Sequence, residues 1–446
     1  MAAKKCKKCH RKIKQVPNWA LELHGLSQYF LSDRYEKRMW IVIIGICFVF
    51  AGVFTNILIR EYMERRTSTV FEYHQLNKIR YPGVTICPNN GDAIHYRDLE
   101  IDMRSRMENI TNAEVDDLII FALAGSGVDG FQTKVSLWDP DDIQKLTLMI
   151  ETWRGDRSWK QFFEFVFDRN GYTCEELFYK CFYGQQTINC CEIFQPVYVI
   201  LVGRCFQLQE YYQTAPNDWG RLHIYMNELP SYFLSASGKQ NHMILYLSDN
   251  YSDVARYPKV PLGPQILNKI GLQMRTVAMS EADQHCSNSE ESKGRGTCFA
   301  NRWLTHQLIE PLNCTVHYLD HKTNEYTVCH PTVIITNYKN VTTNHVDTKS
   351  CRPACNREIL TEQLQTGKVA GYSSAKADYS VVISYSDMQV EAYRENVRIT
   401  LAGFVSEIGG QFMLFLGLSL NTVIQMSLLI GNFIRKLVTR QCNLVV

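Results

Sequence analysis

Near the carboxyl end the sequence reads SEIGGQFMLFLGLSLNTVIQMSLLIGNFI, Ser406 to Ile434. It sets Glu407, Gln411, Ser419, Asn421, Gln425 and four glycines inside a passage otherwise apolar enough for a bilayer. Polar side chains at membrane depth are costly and mark ion or substrate routes. Small residues and hydrogen-bonding side chains serve helix packing in lipid equally well, so residue chemistry alone leaves the two uses balanced. On a wheel of about 100° per residue, Ser406, Gly410, Gly417, Asn421 and Gln425 fall within a sector of roughly 100°. Gly417 and Ser419 are two apart and cannot share a helix face. If both serve one site, the helix is broken there, and backbone exposed at that depth survives only buried in protein or facing water. Such a break offers carbonyl oxygens and a hydroxyl, ligands suited to a hard cation shedding its water. One pass supplies too few of them, so the expectation is a symmetric oligomer around an axial pore.

Two apolar passages must position this site. The stretch from Thr400 to Ile434 would be about 52 Å long as one helix, which exceeds the hydrocarbon thickness and requires tilt, a break, or a start above the bilayer. The other passage, Trp40 to Ile59, reads WIVIIGICFVFAGVFTNILI without a charge, and roughly 20 such residues cross a bilayer as a helix. It lies too far from the start for a signal-peptide core, so it is expected to be retained. The 39 residues before it hold ten Lys/Arg against three acids, which places the amino end in the cytoplasm. Arg435, Lys436 and Arg440 after the second passage place the other end there too.

Between the passages, residues 60–399 would face outward. Twelve of the 16 cysteines fall there, from Cys87 to Cys355, as a disulfide framework in an oxidising compartment requires. So do all four N-x-S/T sequons, at Asn109, Asn250, Asn313 and Asn340, which are candidate glycosylation sites. Arg80 to Asn90, RYPGVTICPNN, reads as extended chain, because Pro82 disfavours helix before it and Val84, Thr85 and Ile86 favour a strand. Asn112 to Phe167 reads as helical, with a start signal at Asp139-Pro140-Asp141-Asp142. Short strands are expected at Leu222 to Met226 and Met243 to Leu247, and a polar loop at residues 281–298. Helix and strand alternate without βαβ regularity, so the outer part is α+β.

Several functions are excluded or set aside. A formal charge of +2 over 446 residues gives no sign of a nucleic-acid partner. There is no G-x-S-x-G, H-E-x-x-H or P-loop pattern. His242, His285 and His306 lack metal-ligand spacing, so no enzyme activity, cofactor or metal is called for. Cys6 to His10, CKKCH, has the spacing of a haem attachment site but lies in a basic stretch on the reducing side, where a chance match or a palmitoylated cysteine fits better. Asp139, Asp141, Asp142, Glu175 and Glu176 could sense protons as carboxyl clusters, though charged helix starts account for them more simply.

Four stretches together resemble the degenerin/epithelial sodium channel/acid-sensing channel family. Gly409-Gly410-Gln411 followed by Gly417-Leu418-Ser419 is similar to its pore helix, His24-Gly25 to its His-Gly motif, Tyr81 to Cys87 to its post-span segment, and Cys190 to Gln209 to the stretch ending Gly-x-Cys-aromatic. The resemblance implies a two-pass transmembrane α-helical protein with a large α+β, disulfide-rich extracellular domain. That domain would have a β-sheet palm with helical thumb and finger regions, and the subunits would form a trimeric channel. It divides the chain into a cytoplasmic segment 1–39, a first span 40–59, an extracellular domain 60–399, a pore helix 400–434 and a cytoplasmic tail 435–446. It makes Gly417, Leu418 and Ser419 the selectivity filter and Ser406, Glu407, Gly410, Asn421 and Gln425 pore-lining. Gating falls to His24, Gly25 and Ser406, the last at a position where bulky side chains hold such channels open, while Gly410 borders the outer pore where amiloride-type cations lodge. It pairs Cys87 with Cys205, and Cys181 with Cys190 or Cys191, leaving the later cysteines unassigned.

The implied function is a sodium-preferring, amiloride-sensitive cation channel at the plasma membrane, a homo- or heterotrimer in lipid gated by a proton, peptide or force from outside. The sequence also departs from the pattern. Gln425 stands where relatives carry a carboxylate, Met413 replaces a common glycine, and Leu418 replaces a smaller residue; the loop around Cys286 and the single Cys314 suggest a modified thumb. These departures support an alternative, a non-conducting or modulatory subunit or surface receptor. An ectoenzyme or a two-pass ATP-gated channel would share the topology but not these motifs.

Overall fold

The computed structural model describes residues 26–248, 253, 259–279, 286–287, 295–322, 325–343, 351–367 and 377–442. The chain forms two compact units, one made of the residues up to Thr69 and from Glu395 onward, the other of Val70–Arg394.

In the first unit, helix Arg34–Met63 contains the uncharged stretch seen in the sequence and extends it at both ends. With a mean hydropathy of 2.6 over its most apolar window, it is long and apolar enough to cross a membrane. Ile41, Val42, Ile46, Val49 and Val53 are exposed along it, as suits a helix whose solvent is hydrocarbon. Helix Leu401–Leu416 packs against it. Phe415 stacks with Phe50 and Phe54 at 6.1 and 5.6 Å between ring centroids, and Phe404 with Tyr62 at 4.3 Å. Low numbers on one helix meet high numbers on the other, so the pair is antiparallel. Each aromatic pair contributes about 0.5–1.5 kcal/mol beyond its buried area. Thr55 Oγ1 donates to Gln411 Oε1 across 3.4 Å, which gives one polar residue of the carboxyl-terminal passage a packing role.

In the second unit, two main sheets, a two-stranded ribbon pairing Ile79–Arg80 with Tyr212–Gln213, and a helical region carry the buried core. The larger sheet has eight strands, in the order Thr67–Gln75, Gln389–Val397, Leu267–Ala278, Tyr379–Tyr385, Leu222–Met226, Phe178–Tyr183 and Gln186–Ile188, with Asn356–Gly367 paired along Leu267–Ala278. Its first two strands cross the boundary between the units. Residues alternate where one face is buried: Leu222, Ile224 and Met226 point inward between His223 and Tyr225. The central strand Tyr379–Tyr385 is buried throughout, as expected of a strand covered on both faces.

Gly83–Pro88, the stretch marked by Val84, Thr85 and Ile86, lies inside a five-stranded sheet between Met243–Ser248 and Gly203–Leu208. Two helices of the helical region start on capping boxes, the second at the start signal seen in the sequence. Thr111 and Glu114 form a capping box at Asn112–Gly125, and Asp139 and Asp142 form one at Pro140–Arg154. On the buried side of the second helix, Trp153 meets Phe162 edge-on at 4.8 Å and donates from Nε1 to Asp102 Oδ2 at 2.9 Å.

Candidate functional site

The last apolar passage is two helices. Leu401–Leu416 begins on Thr400, whose hydroxyl accepts from the Gly403 amide at 3.1 Å, and ends at Gly417, whose φ of 65° and ψ of 21° are left-handed. Only glycine enters that region without steric cost. The Gly417 amide donates back to Met413 O at 3.0 Å and the Leu418 amide to Phe412 O at 3.3 Å, which is how a left-handed cap satisfies a helix's last carbonyls. Two residues later a new helix starts. Ser419 Oγ accepts from the Thr422 amide at 3.2 Å, the two hydroxyls lie 3.0 Å apart, and the Ser419 amide donates to Thr422 Oγ1 at 3.4 Å. Ser419 is thus the N-cap of Leu420–Cys442. Gly417-Leu418-Ser419 is a stop and a start in three residues, and the axes on either side differ by 80°. The two helices satisfy the length and hydropathy measure for a span only when taken together.

The bend corrects one expectation. Ser406, Gly410, Gly417, Asn421 and Gln425 do not lie along one stripe of one helix, because a single wheel assumes a single axis. Ser406, Glu407 and Gly410 belong to the first helix, Asn421 and Gln425 to the second, and Gly417, Leu418 and Ser419 to the turn. Ser406, Glu407, Gly410, Ser419, Asn421 and Gln425 are exposed in the single chain. A Cβ added at Gly409 or Gly410 would meet nothing within 4 Å, so neither glycine is there to let this chain's helices approach. Sequence reasoning missed Thr422, which is only 3% exposed; the signal was the Ser-x-x-Thr spacing at a helix start, a variant of the capping box. His24 and Gly25 lie outside the described residues, as do Asn250, His285, the CKKCH stretch and most of residues 281–298.

Elsewhere, six disulfides join Cys87 to Cys205, Cys174 to Cys191, Cys181 to Cys190, Cys286 to Cys355, Cys298 to Cys351 and Cys314 to Cys329. Cys314, singled out in the sequence, is therefore paired. The side chains of Asn109, Asn313 and Asn340 sit at exposed positions.

The acidic tracts serve helix starts. Asp139 Oδ1 accepts from the Asp142 amide at 2.8 Å, and Glu176 Oε2 from the Thr173 amide at 2.7 Å. Burial works against the charge of Glu176, but the Thr173 amide and His95, 2.9 Å away, hold its carboxyl below the usual range. The most perturbed histidine is His317. Its ring is stacked between Phe163 and Phe167 and edged by Tyr198 and Tyr318. Neither ring nitrogen has a partner among the described residues. Burial, with a smaller contribution from Lys160, pushes its pKa down to about 3. Among the described residues no cluster of His, Cys, Asp or Glu could hold a metal ion.

The sequence profile described as "Amiloride-sensitive sodium channel" matches residues 20–429. Comparison with curated proteins gives no match. Among solved structures, one described as a cryo-EM structure of a proton-activated chloride channel is similar at 8% identity and a TM-score of 0.32, covering 84% of this chain and 91% of that one. A likeness at that level carries no argument.

Proposed function

The chain belongs to the amiloride-sensitive sodium channel family, membrane ion channels of the epithelial sodium and acid-sensing type, and from this we propose that it conducts sodium in preference to other cations. It assembles as a trimer, alone or with related subunits, in the plasma membrane, with both termini cytoplasmic and residues 60–399 outside. Amiloride blocks it, and an extracellular stimulus (a proton, a peptide or a force) opens it.

The observation that carries this reading is the turn at Gly417-Leu418-Ser419. A helix that stops leaves its last carbonyls without intrahelical partners. Here the Gly417 and Leu418 amides meet those of Met413 and Phe412, and the carbonyls beyond pass out of the helical ladder. Three copies around an axis present a ring of such oxygens, which replace the water a sodium ion sheds. Ser406, Glu407 and Gly410 line one side of the constriction, and Asn421 and Gln425 the other. The open space at Gly409 and Gly410 is then room for the pore or a neighbouring subunit. The ion gradient supplies the driving force. A proton or peptide acts by binding the outer domain more tightly in the open state than in the closed one.

A second reading is kept by Leu418 and Gln425, and by the Ser419 hydroxyl being engaged with Thr422: a subunit that modulates conducting relatives. Voltage clamp of cells expressing the chain, alone and with related subunits, decides between them when external sodium, pH and amiloride are varied. Sodium-dependent, amiloride-blocked current supports the channel. Silence in both settings, with surface delivery demonstrated, refutes conduction.

A further inference from the structure

The described sequons differ in what folding does to them. We infer that Asn313 accepts an oligosaccharide only before Cys314 and Cys329 join, so that glycosylation and disulfide closure compete for one stretch of chain. The inference rests on the reading that residues 60–399 enter the oxidising lumen.

The sequon is Asn313-Cys314-Thr315. Asn313 is exposed, with a left-handed φ of 55°, at the end of Glu310–Leu312. Its neighbours are enclosed. Cys314 is bonded to Cys329. Thr315 is 0% exposed, its amide donates to Thr327 O at 3.0 Å, and its own carbonyl accepts from the Cys329 amide at 2.8 Å. Its hydroxyl is buried without a partner among the described residues. An enzyme that reads Asn-x-Ser/Thr must reach that hydroxyl on an extended chain, and here the hydroxyl is covered and the backbone is bridged to the segment the disulfide brings in. Asn109 is the contrast, since both it and Thr111 are exposed and no cysteine lies between them. Asn340 is intermediate. Thr342 is buried and donates to Tyr338 O at 2.8 Å, but that sequon holds no disulfide.

Both reactions draw on the same few residues. In glycosylation, Asn313 Nδ2 bonds to the anomeric carbon of a polyprenyl-pyrophosphate-linked oligosaccharide. The bond from that carbon to the pyrophosphate oxygen breaks, the amide gives up one proton, and the lipid pyrophosphate leaves with the electron pair. In closure, the two thiols lose two electrons and two protons to a lumenal protein disulfide, which is reduced to a dithiol. Cys329 follows Cys314 by 15 residues, and at about 5–20 residues per second this leaves roughly one to three seconds before the second thiol is made. Closing a loop of about this length takes well under a millisecond, so thiol oxidation, in seconds or longer, sets the end of the window.

The test is site-by-site glycan occupancy, read by enzymatic deglycosylation and mass spectrometry on the full chain made in mammalian cells. The native chain should be partly occupied at Asn313. C329S should raise that occupancy at least twofold, with Asn109 unchanged. C351S, which removes the Cys298–Cys351 bond instead, should not raise it and controls for general misfolding. Full occupancy in the native chain, no response to C329S, or an equal rise in C351S overturns the inference while glycan at Asn109 leaves the lumenal reading standing. No glycan at Asn109, Asn313 or Asn340 overturns both.

Discussion

Replacing Gly417 by alanine tests whether the backbone break carries the conduction path. Gly417 sits at φ 65° and ψ 21°, where an L side chain costs about 1–2 kcal/mol. In a continuous helix alanine is better than glycine by about 1 kcal/mol. The two terms act in the same direction, so G417A shifts the balance from broken to unbroken helix by about 2–3 kcal/mol. At 1.4 kcal/mol per factor of ten, this is a change of roughly 30- to 150-fold in that equilibrium. Unitary conductance and the sodium-to-potassium permeability ratio are the measurements, with surface biotinylation to show equal delivery. Current per surface channel is expected to fall by at least tenfold. Asparagine enters the left-handed region more readily than alanine, so G417N should retain more current than G417A despite its larger side chain. Native conductance and selectivity in G417A would refute the reasoning, and a G417N channel worse than G417A would place the effect in side-chain bulk.

Three further outcomes follow from the same structure. T422V removes the hydroxyl bonded to the Ser419 amide and hydroxyl, about 1–2 kcal/mol of capping; reversal potentials should show a severalfold change in sodium preference in T422V and none in T422S. Ser406 is exposed on the first half of the broken helix, and S406W should raise resting current in a conducting channel, measured as the amiloride-blocked fraction before any stimulus. His317, held neutral by burial with a pKa near 3, binds its proton less readily folded than unfolded, where the usual value is about 6.5. Its contribution to stability is therefore full above about pH 6.5 and lost as pH falls toward 3, roughly 2 kcal/mol by pH 5. H317F, which keeps a ring between Phe163 and Phe167, should flatten the loss of thermal stability between pH 7 and 5.

Legibility in the sequence followed the range of the interaction. The start signal at Asp139 and the strand at Gly83–Pro88 depend on residues within four positions of one another, so residue type and spacing suffice to read them, whereas the break at Gly417-Leu418-Ser419 is legible only on the condition that Gly417 and Ser419 serve one site. The wheel through Ser406 and Gln425 failed because it carried one helix axis through a glycine that changes it. Gln411 was legible as polar but not as the partner of Thr55, 356 residues away.

The sequence by itself determined that the chain has two apolar passages, that twelve of its 16 cysteines lie between them, and that Gly417 and Ser419 can serve one site only if the last helix breaks there. These follow from hydropathy, composition and local backbone preference. Tertiary structure alone decided that Cys191 joins Cys174 and Cys190 joins Cys181. It also decided that Thr315 is enclosed while Thr111 stays open, and that both ring nitrogens of His317 are cut off from water. Each of these depends on which distant segments arrive beside a residue, and neither residue type nor spacing encodes that arrival.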